Sequence, residues 1–125
     1  VWNEKTAEFV ANFEERYNHT PGAPSMEAYD ATYLLLNAIE DAGTTEPAAV
    51  IEALENIRMT GALGELWFEY TSDNPVPEDE PDWKWHQWLT PSVYIIQYTE
   101  ANQALEEAPV VFPPEVATGP LYTSP

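Results

Sequence analysis

Cysteine is absent from the 125-residue chain, which removes disulfides, cysteine-based zinc sites and thiol nucleophiles together and leaves the redox compartment open. Basic residues are nearly as scarce. Lys5, Arg16, Arg58 and Lys84 face 22 acidic residues, for a formal net charge of -18. Such a field repels phosphate backbones and anionic bilayers, so nucleic acid and membrane surfaces drop out as favoured partners. The excess reads first as a solvated acidic surface suited to a high-salt or extracellular setting, and second as an attractor for a cationic ligand. No apolar run approaches the ~20 residues needed to span a bilayer, and no signal peptide is visible. The chain opens on Val1 rather than methionine. We therefore expect a mature or excised piece of a longer protein, with any targeting sequence upstream.

Motifs that announce an enzyme are missing as well. The glycines at 22, 43, 61, 64 and 119 are scattered as caps and turns, which leaves no phosphate-cradling loop, and there is no G-x-S-x-G elbow. His19 and His86 are the only histidines, stand far apart and belong to no H-E-x-x-H pattern. Both read as loop or strand residues. Asp73, Glu78, Asp79, Glu80 and Asp82 lack the ordered oxygens, central glycine and terminal glutamate of a calcium loop. Carboxylate pairs can be drawn almost anywhere in so acidic a chain, so their presence decides nothing. Asn18-His19-Thr20 matches a glycosylation triplet of a kind that chance supplies often. No catalytic residue, metal ligand or cofactor is expected.

What is present is organised around Pro24 to Gly64. Hydrophobic residues make up 44% of the chain, enough for a packed core. Ser25 reads as a helix N-cap with Glu27 in the first turn, and Ala28, Ala31, Leu35, Ala38, Ile39 and Ala42 recur at helical spacing until Gly43 ends the helix. Tyr29, Tyr33, Leu34 and Leu36 lie off that stripe, so the helix should be covered on more than one side. Glu46 and Pro47 open a second helix with Val50, Ile51, Leu54 and Ile57 as its apolar face. Upstream, residues 1–18 form an amphipathic helix: Phe9, Val10, Phe13 and Tyr17 on one face, Glu8, Asn12, Glu15 and Arg16 on the other. The loop His19 to Pro24 cannot continue it.

Downstream, Met59 to Gly64 reads as a turn and Glu65 to Tyr70 as a short strand with Leu66, Phe68 and Tyr70 on one side. Thr71 to Asp82, with three prolines and five carboxylates, reads as a linker. Trp83 to Trp88 alternates as a strand, Pro91 turns the chain, and Ser92 to Tyr98 makes a second strand. Glu100 to Glu107 reads as a short helix, and the tail from Ala108 to Pro125 as extended chain over a surface. Trp83, Trp85, Trp88 and Tyr94 either fill a core or lobe interface or, on strands, form a platform on which sugar rings stack. Three helices, one strand and a marginal hairpin make an incomplete inventory for a self-sufficient domain.

The ordered series Ala28 to Ala31 (A-Y-D-A), Ala38 to Gly43, Pro47 to Leu54 and Gly61 to Glu69, preceded by the F-x-x-x-F-x-x-x-Y helix, resembles the C-terminal third of type I periplasmic solute-binding proteins. This is the branched-chain amino acid receptor family of ABC importers, and the resemblance runs roughly from residue 6 to 100. The long acidic linker and the tail depart from the common pattern. The resemblance implies an α/β fold, the C-terminal part of a two-lobed protein: residues 1–70 in the first lobe, 71–82 near the last interlobe crossing, 83–125 in the second lobe. It implies capture of a branched-chain or similar amino acid or amide between lobes. The partners implied are the remaining N-terminal part of the same protein and an ABC permease, in a periplasmic or extracellular setting with a possible upstream lipid anchor. Most ligand contacts in that family come from earlier segments. Here the resemblance points to Pro24, Ser25 and Met26, with Tyr29 behind them either packing or touching ligand. An extracellular carbohydrate-binding or interaction module built on Trp83 to Trp88 is the alternative.

Overall fold

A computed structural model describes residues 3–89, 91, 93–104 and 107–123. The chain divides into two compact units, Val1–Pro91 and Ser92–Pro125. Residues 71–82 belong to the first.

Helix α1 (Glu4–Tyr17) begins where Asn3 and Thr6 satisfy each other: Thr6 N–H donates to Asn3 Oδ1 at 2.8 Å and Asn3 N–H to Thr6 Oγ1 at 3.2 Å. That reciprocal pair removes two of the free donors at a helix start. The helix stops at Asn18, which takes the left-handed conformation with φ 56°. Val1, where the expected helix was drawn to begin, lies outside the described residues.

Helix α2 (Ala23–Ala42) starts two residues before the expected Ser25 cap. Gly22 is the N-cap, no side chain caps the helix, and no acidic residue lies in its first turn, so Ser25 and Glu27 do not play the roles their types suggested. The fixed φ of Pro24 suits a helix opening, and the turn is closed by Ser25 N–H donating to Gly22 O at 3.0 Å. At the far end Gly43 caps the helix with φ 63°. Helix α3 (Pro47–Asn56) follows, with its proline in the opening turn.

The two helices pack around Ala38, Val50 and Ile57, backed by Leu34, Ile39, Ala42, Ala53 and Leu54. Ala38, fully buried, lets the axes approach closely. The buried stripe of α2 is thus rotated from the expected one: Leu34 packs inward, while Leu35 is 47% exposed. On α3 likewise Ile51 faces out at 49% exposure, and Ala53 takes its place. Hydrophobic spacing fixed a helix in each case but left several apolar residues competing for the single face that the partner helix can cover.

The segment expected as a turn and then a strand is a small antiparallel hairpin instead. Strands β1 (Met59–Gly61) and β2 (Gly64–Leu66) pair with Thr60 opposite Glu65. The hairpin has a reason to sit early: its turn is gripped from both sides. Ala62 and Leu63 donate their N–H groups to the Asp30 carboxylate at 2.7 and 2.8 Å. Ala62 O accepts from Thr6 Oγ1 at 2.7 Å, and Gly61 O from Asn3 Nδ2 at 3.0 Å. The hairpin turn thereby ties the start of α1 to Asp30, two turns into α2. Residues 67–70 leave the ladder, so Phe68 and Tyr70 are not strand residues.

Trp83 to Trp88 is not a strand either. Asp82–Lys84 is one turn of 3-10 helix, and His86 is left-handed with φ 55°, which interrupts any alternation. The expected hairpin between 83–88 and 92–98 does not form. In the second unit β3 (Ile95–Ile96) pairs antiparallel with β4 (Val110–Phe112), with an irregularity between Ile95 and Ile96. Ser92 lies outside the described residues. Of the expected helix Glu100 to Glu107, residues 101–102 form a turn, and Leu105 and Glu106 lie outside the described residues. The tail is folded back within its unit rather than spread as extended chain. A 3-10 turn spans Pro114–Val116, and Gln97 clasps the Tyr122 backbone by two hydrogen bonds of 2.8 and 2.9 Å.

Candidate functional site

Four residues drawn from the sequence, Pro24, Ser25, Met26 and Tyr29, fall in the first two turns of α2. Ser25 and Tyr29 stand four residues apart and so share a side of the helix. Both line a groove of about 480 Å³ between α1 and α2, closed on the α1 side by Phe9, Asn12, Phe13, Arg16 and Tyr17. Pro24 and Met26 do not line it.

Tyr29, Phe9, Phe13 and Tyr17 line the groove as part of a row of rings that continues beyond it to Tyr33. Tyr33 meets Tyr29 at 4.8 Å between centroids, Tyr29 meets Phe9 at 4.8 Å, Phe9 meets Phe13 at 5.7 Å, and Phe13 meets Tyr17 at 4.6 Å. All are tilted, the arrangement that ring quadrupoles favour. Phe9 in the middle of the row is buried, whereas Tyr33 and Tyr17 at its two ends are 47% and 53% exposed. Burial pushes the Tyr29 phenol above its ordinary pKa, and the neighbouring Tyr33 hydroxyl adds to the shift. Tyr29 therefore keeps its proton and remains a hydrogen-bond donor. The sequence marked Phe9, Phe13 and Tyr17 only as packing residues and Arg16 as a solvent-facing one. Their i, i+4 spacing on α1 was the signal that they form one wall.

Two further cavities flank α2. One, of about 310 Å³, is lined by Lys5, Glu8, Tyr29, Asp30, Tyr33, Asn37, Met59, Thr60 and Gly61. Tyr29 separates it from the aromatic groove. The other, of about 330 Å³, is mostly apolar, walled by Ala31, Leu34, Leu63, Leu66, Trp88 and Pro91 with Glu27 and Asp30 beside them. Trp88 Nε1 is buried there without an acceptor among the described residues.

The tryptophans proposed as a platform are dispersed in role. Trp83 is 64% exposed, Trp85 stacks on the His86 ring at 4.3 Å, and Trp88 lines the apolar cavity. His86 Nε2 lies 2.6 Å from Glu55 Oε1, which also accepts from Ser72 Oγ at 2.9 Å. Glu55 is held below its usual pKa, by His86 first and against the opposing effect of burial. Among the described residues no cluster of three metal-ligating side chains occurs, and no helix is long and apolar enough to cross a membrane.

The geometry offers grooves and an aromatic wall, with the site residues on the helix that the sequence resemblance singled out. Comparison with known proteins agrees with that resemblance: a family model described as periplasmic binding protein matches residues 2–79, more than half of the chain. No curated protein and no solved structure matches the chain. The mixed helices and short strands fit part of an α/β fold of that kind, and the chain belongs to the type I periplasmic binding protein family.

Proposed function

We propose that the chain is part of the solute-binding component of an ABC importer, one that holds a branched-chain or similar amino acid or amide between two lobes and presents it to the permease. Family membership carries the coarser statement, a small-molecule binding role in a periplasmic or extracellular setting, in a family that is normally non-enzymatic. The observation that supports the finer reading is that Ser25 and Tyr29 share one side of α2 and line a groove of amino-acid size on the first lobe, over which a second lobe would close. Pro24 and Met26 complete the proposed set from the same two turns.

In this reading residues 1–70 belong to the first lobe, 71–82 lie near the last interlobe crossing, and 83–125 belong to the second lobe. Exposed apolar side chains support packing against further polypeptide of the same protein: Tyr33, Leu35 and Leu36 on α2 are 47%, 47% and 54% exposed, and Ile51 on α3 is 49% exposed. Ligand bridging both lobes stabilises a closed form, and the permease recognises that form. A lipid anchor through an upstream segment completes the arrangement.

Titration calorimetry of the complete protein with a panel of amino acids, amides and small carboxylates tests this. One saturable site is the expected result, and silence across the panel overturns the ligand class. A second reading, a carbohydrate-binding or interaction surface around Trp83 and Trp85, draws on the exposure of Trp83. It predicts a tryptophan fluorescence change on adding oligosaccharide.

A further inference from the structure

The groove between α1 and α2 differs in charge from its surroundings. The chain holds 22 acidic residues, and each of the two neighbouring cavities is bordered by two of them, Glu8 and Asp30 in one and Glu27 and Asp30 in the other. No aspartate or glutamate is among the residues lining the aromatic groove, and its single charge is Arg16.

Arg16, like Arg58, differs from the two lysines in having no ion pair among the described residues. Lys5 pairs with Glu8 at 3.7 Å, Lys84 pairs with Glu80 at 2.5 Å, and the Arg58 guanidinium lies over the Trp67 ring at 4.6 Å. Arg16 has no carboxylate within ion-pair distance among the described residues. Its guanidinium carbon stands 5.7 Å from the ring of its own neighbour Tyr17. A guanidinium presents five donors in a planar fork that matches a carboxylate. Both arginines lie against an aromatic ring without a carboxylate partner among the described residues, and of the two only Arg16 lines the groove that carries no acid.

The same lining lacks what a ligand ammonium needs. An amino acid bound here would place its positive end among Phe9, Phe13, Tyr17, Tyr29, Ser25 and Arg16, with no anionic acceptor and a like charge close by. An aromatic ring without an ammonium suits the walls, which offer tilted ring contacts at about 5 Å spacing.

We propose that this groove binds an aromatic monocarboxylate, its ring against Phe9, Phe13 and Tyr29 and its carboxylate on the Arg16 guanidinium. This rests on the solute-binding reading and departs from its amino acid or amide in favour of a carboxylate that carries no ammonium. The negative field of the rest of the chain is screened within ~8 Å at physiological ionic strength, so the local arginine decides the sign.

The test is calorimetry of the protein at physiological salt with phenylacetate, phenylacetamide, phenylalanine and leucine. Phenylacetate is expected to bind at least about tenfold more tightly than the neutral amide or phenylalanine, the gain of one charge-assisted bidentate contact. R16Q brings phenylacetate down to the level of the amide with an unchanged far-ultraviolet circular dichroism spectrum, and R16K restores part of the preference. Equal affinity for acid and amide, or an unchanged R16Q, overturns the proposal. Leucine binding with phenylacetate silent overturns it while leaving the solute-binding reading intact, and silence for all four ligands counts against both.

Discussion

The carboxylate of Asp30 occupies the space where a side chain on Gly61 would begin: a Cβ built on Gly61 stands 2.5 Å from both carboxylate oxygens. Asp30 is only 2% exposed, and each of its carboxylate oxygens accepts a backbone N–H of the hairpin turn. Glycine is required at 61 for close approach rather than for an unusual φ. Asp30→Ala leaves two turn donors without their acceptor and is expected to cost about 3 kcal/mol in denaturant unfolding. Gly61→Ala should cost a further ~1–3 kcal/mol on its own by forcing the carboxylate aside. Because both changes break the same contact, the double variant should lose at least ~1 kcal/mol less than the sum of the singles. Strict additivity would show that the two residues are independent.

Thr6 joins two structures with one hydroxyl, receiving the Asn3 N–H and donating to Ala62 O. Thr6→Val keeps the shape and removes both bonds. We expect a loss of ~1–2 kcal/mol, with hydrogen exchange accelerating at residues 61–63 as well as at the start of α1. Acceleration confined to α1 would mean that the hairpin does not depend on this bond.

How much of this was legible differs by segment. Helices α1 to α3 announced themselves because spacing, prolines and Gly43 all agreed, and the family resemblance drew on the same residues. The buried face of α2 was not legible. Leu34 and Leu35 are both apolar neighbours, and only the position of α3 decides that Leu34 turns inward. Trp83 to Trp88 failed for a different reason: alternation of apolar and polar residues describes a strand only when a partner strand exists, and here His86 bonds instead to Tyr70 O through its backbone and to Glu55 of α3 through its ring. Met59 and Gly61 gave no strand signal, since tertiary bonds from Asn3, Thr6 and Asp30 hold that hairpin. At the candidate site, Ser25 and Tyr29 were drawn from sequence, but the α1 wall was not, because periodicity says which residues share a face and not that the face opens into a groove.

The Glu55 to His86 contact makes acid sensitivity local. A carboxyl whose pKa is depressed on folding contributes stability that is present above its ordinary value of 4.5, and that contribution is lost as pH falls through the lower folded value. Acidification below the ordinary glutamate range should therefore loosen the segment around His86, read as a change in Trp85 fluorescence. Glu55→Gln should remove that acid step. An unchanged step in the variant would assign it to other carboxylates.

Ile57 closes the small core between α2 and α3. Ile57→Ala should destabilise the first unit by ~2–4 kcal/mol, whereas Ile51→Ala, on the exposed side of α3, should change it by less than ~1 kcal/mol. Equal losses would mean that the exposed face is covered in solution.

The account turns on whether α2 meets a small solute. Calorimetric titration of the complete protein against amino acids, amides and small carboxylates measures that directly, with Tyr29→Ala as the paired variant. The account predicts one saturable heat per chain for at least one compound, weakened about tenfold or more when the Tyr29 ring is removed. Flat titrations throughout, or a binding isotherm unmoved by Tyr29→Ala, would contradict it.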